Sequence, residues 1–525
     1  MAARRTFLKK LREVIRGQVI ADEQSLGQFS RDQSIYEIKP LVVVLPEDAE
    51  DVGRIVTLAA REGVPLTARG GGSGTAGAAL GEGIVMALPK NEFWGRISGY
   101  SSNDRSARVS CGAGVYHNDL QKHLRARGLF LPADVTSAEI SRLGGNIATR
   151  ASGPHALKYG SIDGFLESLE FITTEGRLVD TADEATIPER FQRQLADLEQ
   201  RIKANEKARG ILEARQGLKT SSGYDLAAFL CPLAVGPRIV RLLSGSVGTL
   251  GIITGAVLRA EVYERERMAV LLYFDDLVAA GRAVNVLRKL DVAAIELISR
   301  ETFHVLRGRT PLAVALDKDA HLLFVELTGP KRREEARNLI ARLTRKGSGM
   351  SAPPVTAVKE SEIVNLWNLR RELLWLVEHP EPGFRALAVV NDVGVPPERL
   401  EEFVADVGKI FQRRGIIAPI YGHAGNGNLH LRPLFDMSRP GLRELIRRLA
   451  DDVYAAVLRY GGTVTAEHGM GRLRAPYLEK EWGKALYAYM REVKEIFDPG
   501  GFLNPGAMFG AAPITDHMRS DLWQP

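Results

Sequence analysis

His423, His430, Glu467 and His468 are the residues whose types and spacing could do chemistry. The stretch YGHAGNGNLHL (421–431) sets two of only ten histidines seven positions apart among three glycines and two asparagines. TAEHGMG (465–471) then adds a carboxylate and a third imidazole. Two imidazoles and one carboxylate make the donor set of a catalytic zinc site. Mn²⁺ and Fe²⁺ accept the same trio, so the ligands leave the metal open. A further histidine, with an ordinary pKa of about 6.5, can accept a proton near neutral pH. The plainer alternative is a pair of hydrogen-bonding histidines beside glycine turns.

Other elements must hold these groups in place. Ahead of Glu467, the periodicity predicts a helix over about 441–459 that buries Leu442, Leu445, Ile446, Leu449 and Val453 and ends at Gly461 and Gly462. Further back, MAVLLYF (268–274), a helix to about 290, AAIELIS (293–299), HLLFVELTG (321–329) and the helical PKRREEARNLIARLTRKG (330–347) alternate strand and helix without glycine loops. That is the order of a covering α+β sheet. In PEDAEDVGRIVTLAAREGVPLTARGGGSGTAGAALGEGIVMAL (46–88), Val52, Ile55, Val56 and Ala59 share one helix face, acidic residues fill the first turn and Gly63 stops it. Strands VPLTA and GIVMAL follow, with a glycine loop between them. A strand at 107–115, a helix near 117–127 and a strand at 166–176 complete an α+β region that runs to about residue 262.

Glycine marks three loops. ARGGGSGTAG (68–77) has five glycines in ten residues, so its N–H groups can turn to one point and a phosphate can approach without meeting Cβ atoms. It lacks the Lys-Ser/Thr pair of a P-loop and precedes a strand, unlike the dinucleotide fingerprint. LGGNIATRASGPHALKYGS (143–161) and GSVGTLGIIT (245–254) are similarly rich in small residues. Together they imply a large, extended, phosphate-bearing ligand.

The totals exclude several classes. With 525 residues the chain exceeds one ordinary core and predicts two large domains, and its 45% hydrophobic and 26% charged residues describe a folded protein. Cys111 and Cys231 stand alone, which excludes a disulfide framework and a four-thiolate iron–sulfur cluster held by this sequence, and fits a reducing compartment. The net charge of +6 is thinly spread and no basic run alternates with aromatics, so no nucleic acid is expected. MAARRTFLKKLREVIRG never reaches an apolar signal region. LLSGSVGTLGIITGAVL (242–258) falls short of the about 20 apolar residues of a transmembrane segment and reads as turn plus buried strand. The expectation is a cytoplasmic protein, with peripheral attachment to a membrane left open.

The three loops together resemble the FAD-binding domain of the vanillyl-alcohol-oxidase-like flavoproteins, also called PCMH-type. LWNLRRE (366–372), NDVGVPPERLEEF (391–403), GHAGNGNLH (422–430), AEHGMG (466–471) and FDPGGFLNPG (497–506) occur in the order found in FAD-linked D-2-hydroxy-acid dehydrogenases, the D-lactate, glycolate and D-2-hydroxyglutarate group. The resemblance spans roughly residues 20 to 508. It implies an α+β fold with an FAD-binding domain over 1–262, an antiparallel-sheet substrate or cap domain over 263–470, and a C-terminal segment, 471–525, returning to complete the first.

The same resemblance implies the site. FAD contacts fall to Arg69, Gly70, Gly71, Gly72, Ser73, Gly74 and Thr75 in the first loop, and to Pro132, Asp134 and Ser137 before the second. Gly144, Gly145, Asn146, Thr149, Ser152, Gly153, Gly160 and Ser161 follow, then Gly251 and Ile253, and finally Asn504. His423, His430 and Glu467 match a divalent-metal site, zinc first, with manganese or iron open. His468 matches the general base and Arg370 the arginine that holds the substrate carboxylate, while Arg432 matches a position that could read a second acidic group. The implied reaction is oxidation of a D-2-hydroxy acid to the 2-oxo acid, with the C2 hydride passing to the flavin.

Ser73 stands where a flavin-linking histidine would fall, so noncovalent FAD is expected. Asn426, Val247 and Ala507 depart from the aspartate, glutamate and lysine usual at their motif positions. Electrons are expected to leave to a separate acceptor, an iron–sulfur protein, an electron-transfer flavoprotein or a quinone. A homodimer is open. The rival readings are a peroxide-producing flavin oxidase, a flavin subunit of a larger electron-transfer complex, and a colourless zinc hydrolase with merely structural glycine loops.

Overall fold

The computed structural model describes residues 2–102, 106–306, 319–344, 349–378 and 383–523. The helix forecast at the start forms over Ala49–Glu62, where the Asp48 side chain accepts the N–H groups of Glu50 and Asp51 and Gly63 closes it with φ 63°. Its buried face, Val52, Ile55, Val56 and Ala59, packs on a small sheet in the order Gln18–Ile20, Val42–Leu45, Ile84–Ala87, Leu66–Arg69. The last three strands are parallel, as a helix crossover requires. The end of the chain returns to this sheet: Leu66 N–H donates to Phe502 O, and Asn504 N–H donates to Leu66 O.

A second, antiparallel sheet runs Ile97–Ser102, Ser106–Gly112, Ile252–Val262, Leu166–Ile172, Leu178–Asp180. Between the two lies a departure from the sequence reading, because the start of the second glycine loop is a short helix, Leu143–Ala148. Leu143 and Ile147, four apart, are both fully buried on it, and that burial outweighs the helix penalty of Gly144 and Gly145. The apolar stretch 242–258 divides into the end of the helix Val235–Leu243, a turn, and the buried start of Ile252–Val262. Among the described residues no helix is long and apolar enough to cross a membrane.

A seven-stranded antiparallel sheet forms the remainder, in the order Met350–Ala357, Arg267–Phe274, His321–Thr328, Ala294–Ile298, Ile420–Gly422, Asn428–Leu431, Val393–Gly394. Its two faces serve different purposes. Ile295, Leu297, Leu323 and Val325 join the large core shared with the helices Leu277–Leu287, Arg332–Leu343 and Leu400–Arg414. Tyr273, Ile298, Leu322, Phe324 and Tyr421 face the helix Glu360–Glu378. That helix sends Trp367 and Arg370 onto two carboxylates of the sheet, Glu326 and Glu296. The whole is an α+β fold.

Candidate functional site

The four residues singled out by sequence come together where the seven-stranded sheet meets the glycine loops. His423 follows the strand Ile420–Gly422, and His430 lies on the next strand, opposite Tyr421. Glu467 and His468 arrive from the helix Leu442–Arg459. Three imidazole nitrogens converge on one carboxylate oxygen. Glu467 Oε1 lies 3.0 Å from His423 Nε2, 3.4 Å from His430 Nε2 and 3.7 Å from His468 Nε2. The other oxygen, Oε2, accepts from Lys219 Nζ at 2.5 Å and Ser152 Oγ at 2.9 Å.

Asp392 fixes this arrangement from behind. It is fully buried with φ 71°, and its carboxylate accepts the backbone N–H groups of Glu467 and His468 as well as the Thr465 hydroxyl. A non-glycine residue in that left-handed region is strained, and such strain persists only where surrounding bonds over-determine it, as these three do. Thr75 Oγ1, from the first glycine loop, lies 3.3 Å from His468 Nδ1, and Asn391 Nδ2 lies 3.5 Å from it.

Burial and charge oppose one another throughout. Burial would raise the Glu467 carboxyl, but His423 and Lys219 hold it well below the usual carboxylate range. Burial drives His430 down to about 3 against the pull of Glu467, so its ring is neutral. His430 Nδ1 is buried and has no hydrogen-bond partner among the described residues. Burial also lowers His468, against Asp392 and Glu467. His423 is the exception: between Glu296 and Glu467, it is raised despite burial.

The donor set fits a divalent cation. Candidate ligand atoms of Asp392, His430, Glu467 and His468 all lie within 4.8 Å of one another, a group that takes in His430 and Glu467 of the expected trio but not His423. His423 approaches Glu467 with its rings perpendicular to those of His430, centroids 5.3 Å apart. Neutral imidazole nitrogens and carboxylate oxygens suit zinc or manganese.

Beside this cluster lies a cavity of about 880 Å³, near the upper end for ligand pockets. Of the residues expected to contact FAD, Arg69 to Thr75, Ser137, Gly144, Gly145, Asn146, Thr149, Ser152, Gly153, Gly251 and Ile253 line it. Arg370, Arg432, His430, Glu467 and His468 line it too. Pro132, Asp134, Gly160, Ser161, Asn504 and His423 are not among the residues that line it. Asp134 is bonded to His155, Ser161 to Asp163, and Asn504 staples Ala78 O and Val247 O. Among the described residues seven arginines and a single carboxylate, Glu467, face the cavity, an imbalance that favours an anionic occupant. The glycine wall fits a pyrophosphate cofactor: a Cβ on Gly70 would sit 3.3 Å from Gly145 Cα, so the two loops touch backbone to backbone.

Arg370 is buried at 3% exposure rather than a surface member of its helix. Its Nε donates to Glu296 Oε2 at 2.8 Å. Nη2 lies 2.7 Å from the same oxygen, a buried ion-pair contact without hydrogen-bond geometry. Trp367 packs on Phe324 and His155 and lies outside the cavity lining, as a core residue would. Sequence reasoning missed Glu296, Asp392, Lys219 and Asn391.

Comparison with known proteins bears on this arrangement. Residues 40–182 match the model of an FAD binding domain, and residues 264–508 match that of the FAD linked oxidases, C-terminal domain. The two cover nearly three quarters of the chain. The chain belongs to the FAD-linked oxidases. Within that family it is 28% identical over 527 residues to the D-2-hydroxyglutarate dehydrogenase of Pantoea ananatis, covering 95% of this chain but 51% of that protein. It therefore spans about half the length of that relative. It is 27% identical to the glycolate oxidase subunit GlcD of Bacillus subtilis, covering 90% of each, and 28% identical to the D-2-hydroxyglutarate dehydrogenase of Stutzerimonas stutzeri, covering 94% and 97%. In fold it resembles a 4-ethylphenol oxidase from Gulosibacter chungangensis, with TM-score 0.68, 18% identity and 99% of both chains covered. An alkyldihydroxyacetonephosphate synthase gives TM-score 0.63 at 18% identity, over 95% of this chain and 84% of that one.

Proposed function

We propose that this FAD-linked oxidase converts a D-2-hydroxy acid to the 2-oxo acid, with noncovalent FAD in the glycine-walled cavity and a divalent cation, zinc or manganese, held by His423, His430 and Glu467. The observation that carries this reading is the convergence of three imidazole Nε2 atoms on Glu467 Oε1 beside a cavity that also holds Arg370. The names of the relatives, for D-2-hydroxyglutarate and for glycolate, support an α-hydroxy carboxylate. In this reading residues 1–262 and 471–525 form the flavin part and 263–470 the substrate part.

When bound, FAD supplies a two-electron acceptor and the cation supplies Lewis acidity that lowers the pKa of an α-hydroxyl. The residues of the chain do the rest. Arg370, whose guanidinium lines the cavity, holds the substrate carboxylate. His468, kept neutral by burial, accepts the hydroxyl proton while Thr75 and Asn391 hold its ring at Nδ1. Bound FAD would take up the C2 hydrogen with its electron pair, which would leave the 2-oxo acid once the hydroxyl proton is on His468. Cys111 is no candidate for a covalent flavin link, because burial pushes its thiol up to about 12. In this proposal the reducing equivalents pass on to a separate acceptor, an iron–sulfur protein, an electron-transfer flavoprotein or a quinone.

The test is an anaerobic titration of the purified yellow protein with D-lactate, glycolate, D-2-hydroxyglutarate and D-malate. One of these acids bleaches the flavin band. A colourless protein, or a yellow one that none of them reduces, defeats the proposal.

A further inference from the structure

Glu296 sits in the middle of the strand Ala294–Ile298 with no exposed surface, an ionised group where its neighbours are apolar. Its two oxygens face in different directions. Oε2 accepts from Arg370 Nε, and Oε1 lies 2.6 Å from His423 Nδ1. The Arg370 guanidinium, 2.7 Å away, balances the charge of this buried carboxylate. A carboxylate only accepts, so His423 must present Nδ1–H to it. Nε2 is the nitrogen turned to Glu467, so both ring nitrogens face carboxylates and the ring is an imidazolium until a cation replaces the Nε2 proton, Nδ1–H staying on Glu296 throughout. On its other side the same carboxylate grips the Nε edge of Arg370, which leaves the opposite guanidinium edge toward the cavity.

We infer that Glu296 is a positioning residue for both halves of the site, setting the cation-binding nitrogen of His423 and the anion-binding edge of Arg370 with one buried carboxylate. This rests on the function proposed above for those two residues. A hydrogen-bonding partner on the far nitrogen of a metal-ligating histidine is worth about 10–100-fold in metal affinity. The strand geometry explains why one residue can serve both. Leu297 and Ile298 pair with Gly422 and Tyr421, which brings His423 alongside Glu296, while the helix Glu360–Glu378 crosses that same face.

The experiment compares the flavin-loaded protein with Glu296→Gln, which keeps shape and one acceptor but removes the charge. Mn²⁺ alone is titrated by electron paramagnetic resonance, and propanoate, a carboxylate without the α-hydroxyl, by its perturbation of the flavin spectrum. The Mn²⁺ dissociation constant rises about 10–100-fold. That for propanoate rises about tenfold, because the arginine loses its fixed orientation. In a His423→Ala background Glu296→Gln changes Mn²⁺ binding by less than about twofold, and in an Arg370→Ala background it changes propanoate binding by less than about twofold. Either effect missing in the single variant, or adding in full to the double, overturns the inference. Where Glu296→Gln alone does not hold flavin, Glu296→Gln/Arg370→Gln removes the charge pair together, and its Mn²⁺ affinity is read against Arg370→Gln with the same factor expected. A parent protein that binds Mn²⁺ and propanoate, beside a variant that binds them equally well, sinks this inference alone. A parent that binds neither sinks the proposed function and this inference with it.

Discussion

Lys219 Nζ lies 2.5 Å from Glu467 Oε2 across 248 residues of sequence, and neither side chain is more than 7% exposed. The ammonium occupies the outer oxygen and so turns the inner one to the histidines. Removing one partner of a buried pair costs about 3–5 kcal/mol, because the other charge is left uncompensated. Lys219→Met is therefore expected to lower the melting temperature in EDTA. Added Mn²⁺ or Zn²⁺ should restore part of the loss by supplying positive charge at Glu467. Differential scanning fluorimetry with and without cation reads both effects, and a methionine variant as stable as the parent in EDTA would remove this pair from the account.

What the sequence disclosed follows from this kind of distance. The helix Ala49–Glu62 was readable because its cap, its apolar stripe and its stop all lie within one turn of the positions they control. The His/Glu cluster was readable because histidine is scarce in this chain and four of the relevant residues fall in two short glycine-rich stretches. Glu296, Asp392 and Lys219 were not, since the groups they bind lie 127, 76 and 248 residues away and no local period encodes such a meeting. A sign was nonetheless present in AAIELIS. A lone carboxylate in a strand apolar on both sides has to be paired when it is buried. Leu143–Ala148 misled in the opposite way, because tertiary burial of two side chains overrode a composition that favours a loop.

Two glycines of the first loop separate cofactor binding from folding. A Cβ on Gly71 would lie 1.8 Å from the carbonyl oxygen of Ile140, a backbone atom that cannot swing aside. A Cβ on Gly74 would meet nothing within 4 Å, and Gly74 lines the cavity. Gly71→Ala should lower the melting temperature of the flavin-free protein, whereas Gly74→Ala should leave it unchanged and weaken FAD retention. Fluorimetry of the flavin-free forms, with ultrafiltration to measure released FAD, checks the pair. Equal FAD retention in Gly74→Ala and the parent would place the cofactor elsewhere.

Arg370→Ala removes a buried guanidinium from the cavity wall. Truncating one partner of a buried, hydrogen-bonded charge pair costs about 2–5 kcal/mol of binding, so the KM for the hydroxy acid should rise at least about 30-fold. The effect on kcat should be smaller, as expected for an interaction made in both ground and transition states. Steady-state kinetics with an artificial electron acceptor measures the split. An unchanged KM would exclude Arg370 from substrate binding.

His155 ties the cofactor side of the cavity to the helix that carries Arg370. Its Nδ1 lies 2.5 Å from Asp134 Oδ2 and its Nε2 3.0 Å from Glu326 Oε1, while Arg267 and Trp367 hold the other oxygen of Glu326. Both ring nitrogens face acceptors, so the ring satisfies them only as imidazolium. Burial opposes that charge, but the two carboxylates prevail and raise His155 well above its ordinary value. A folded-state pKa above the unfolded one gives stability that is fully present below the unfolded value of about 6.5 and disappears as pH rises through the folded value. His155→Gln should therefore cost most in melting temperature at about pH 6 and progressively less on the alkaline side. Thermal melts of parent and variant across that range decide the matter, because a cost that stays level or grows with pH would mean that the ring is neutral and the bridge contributes no charge.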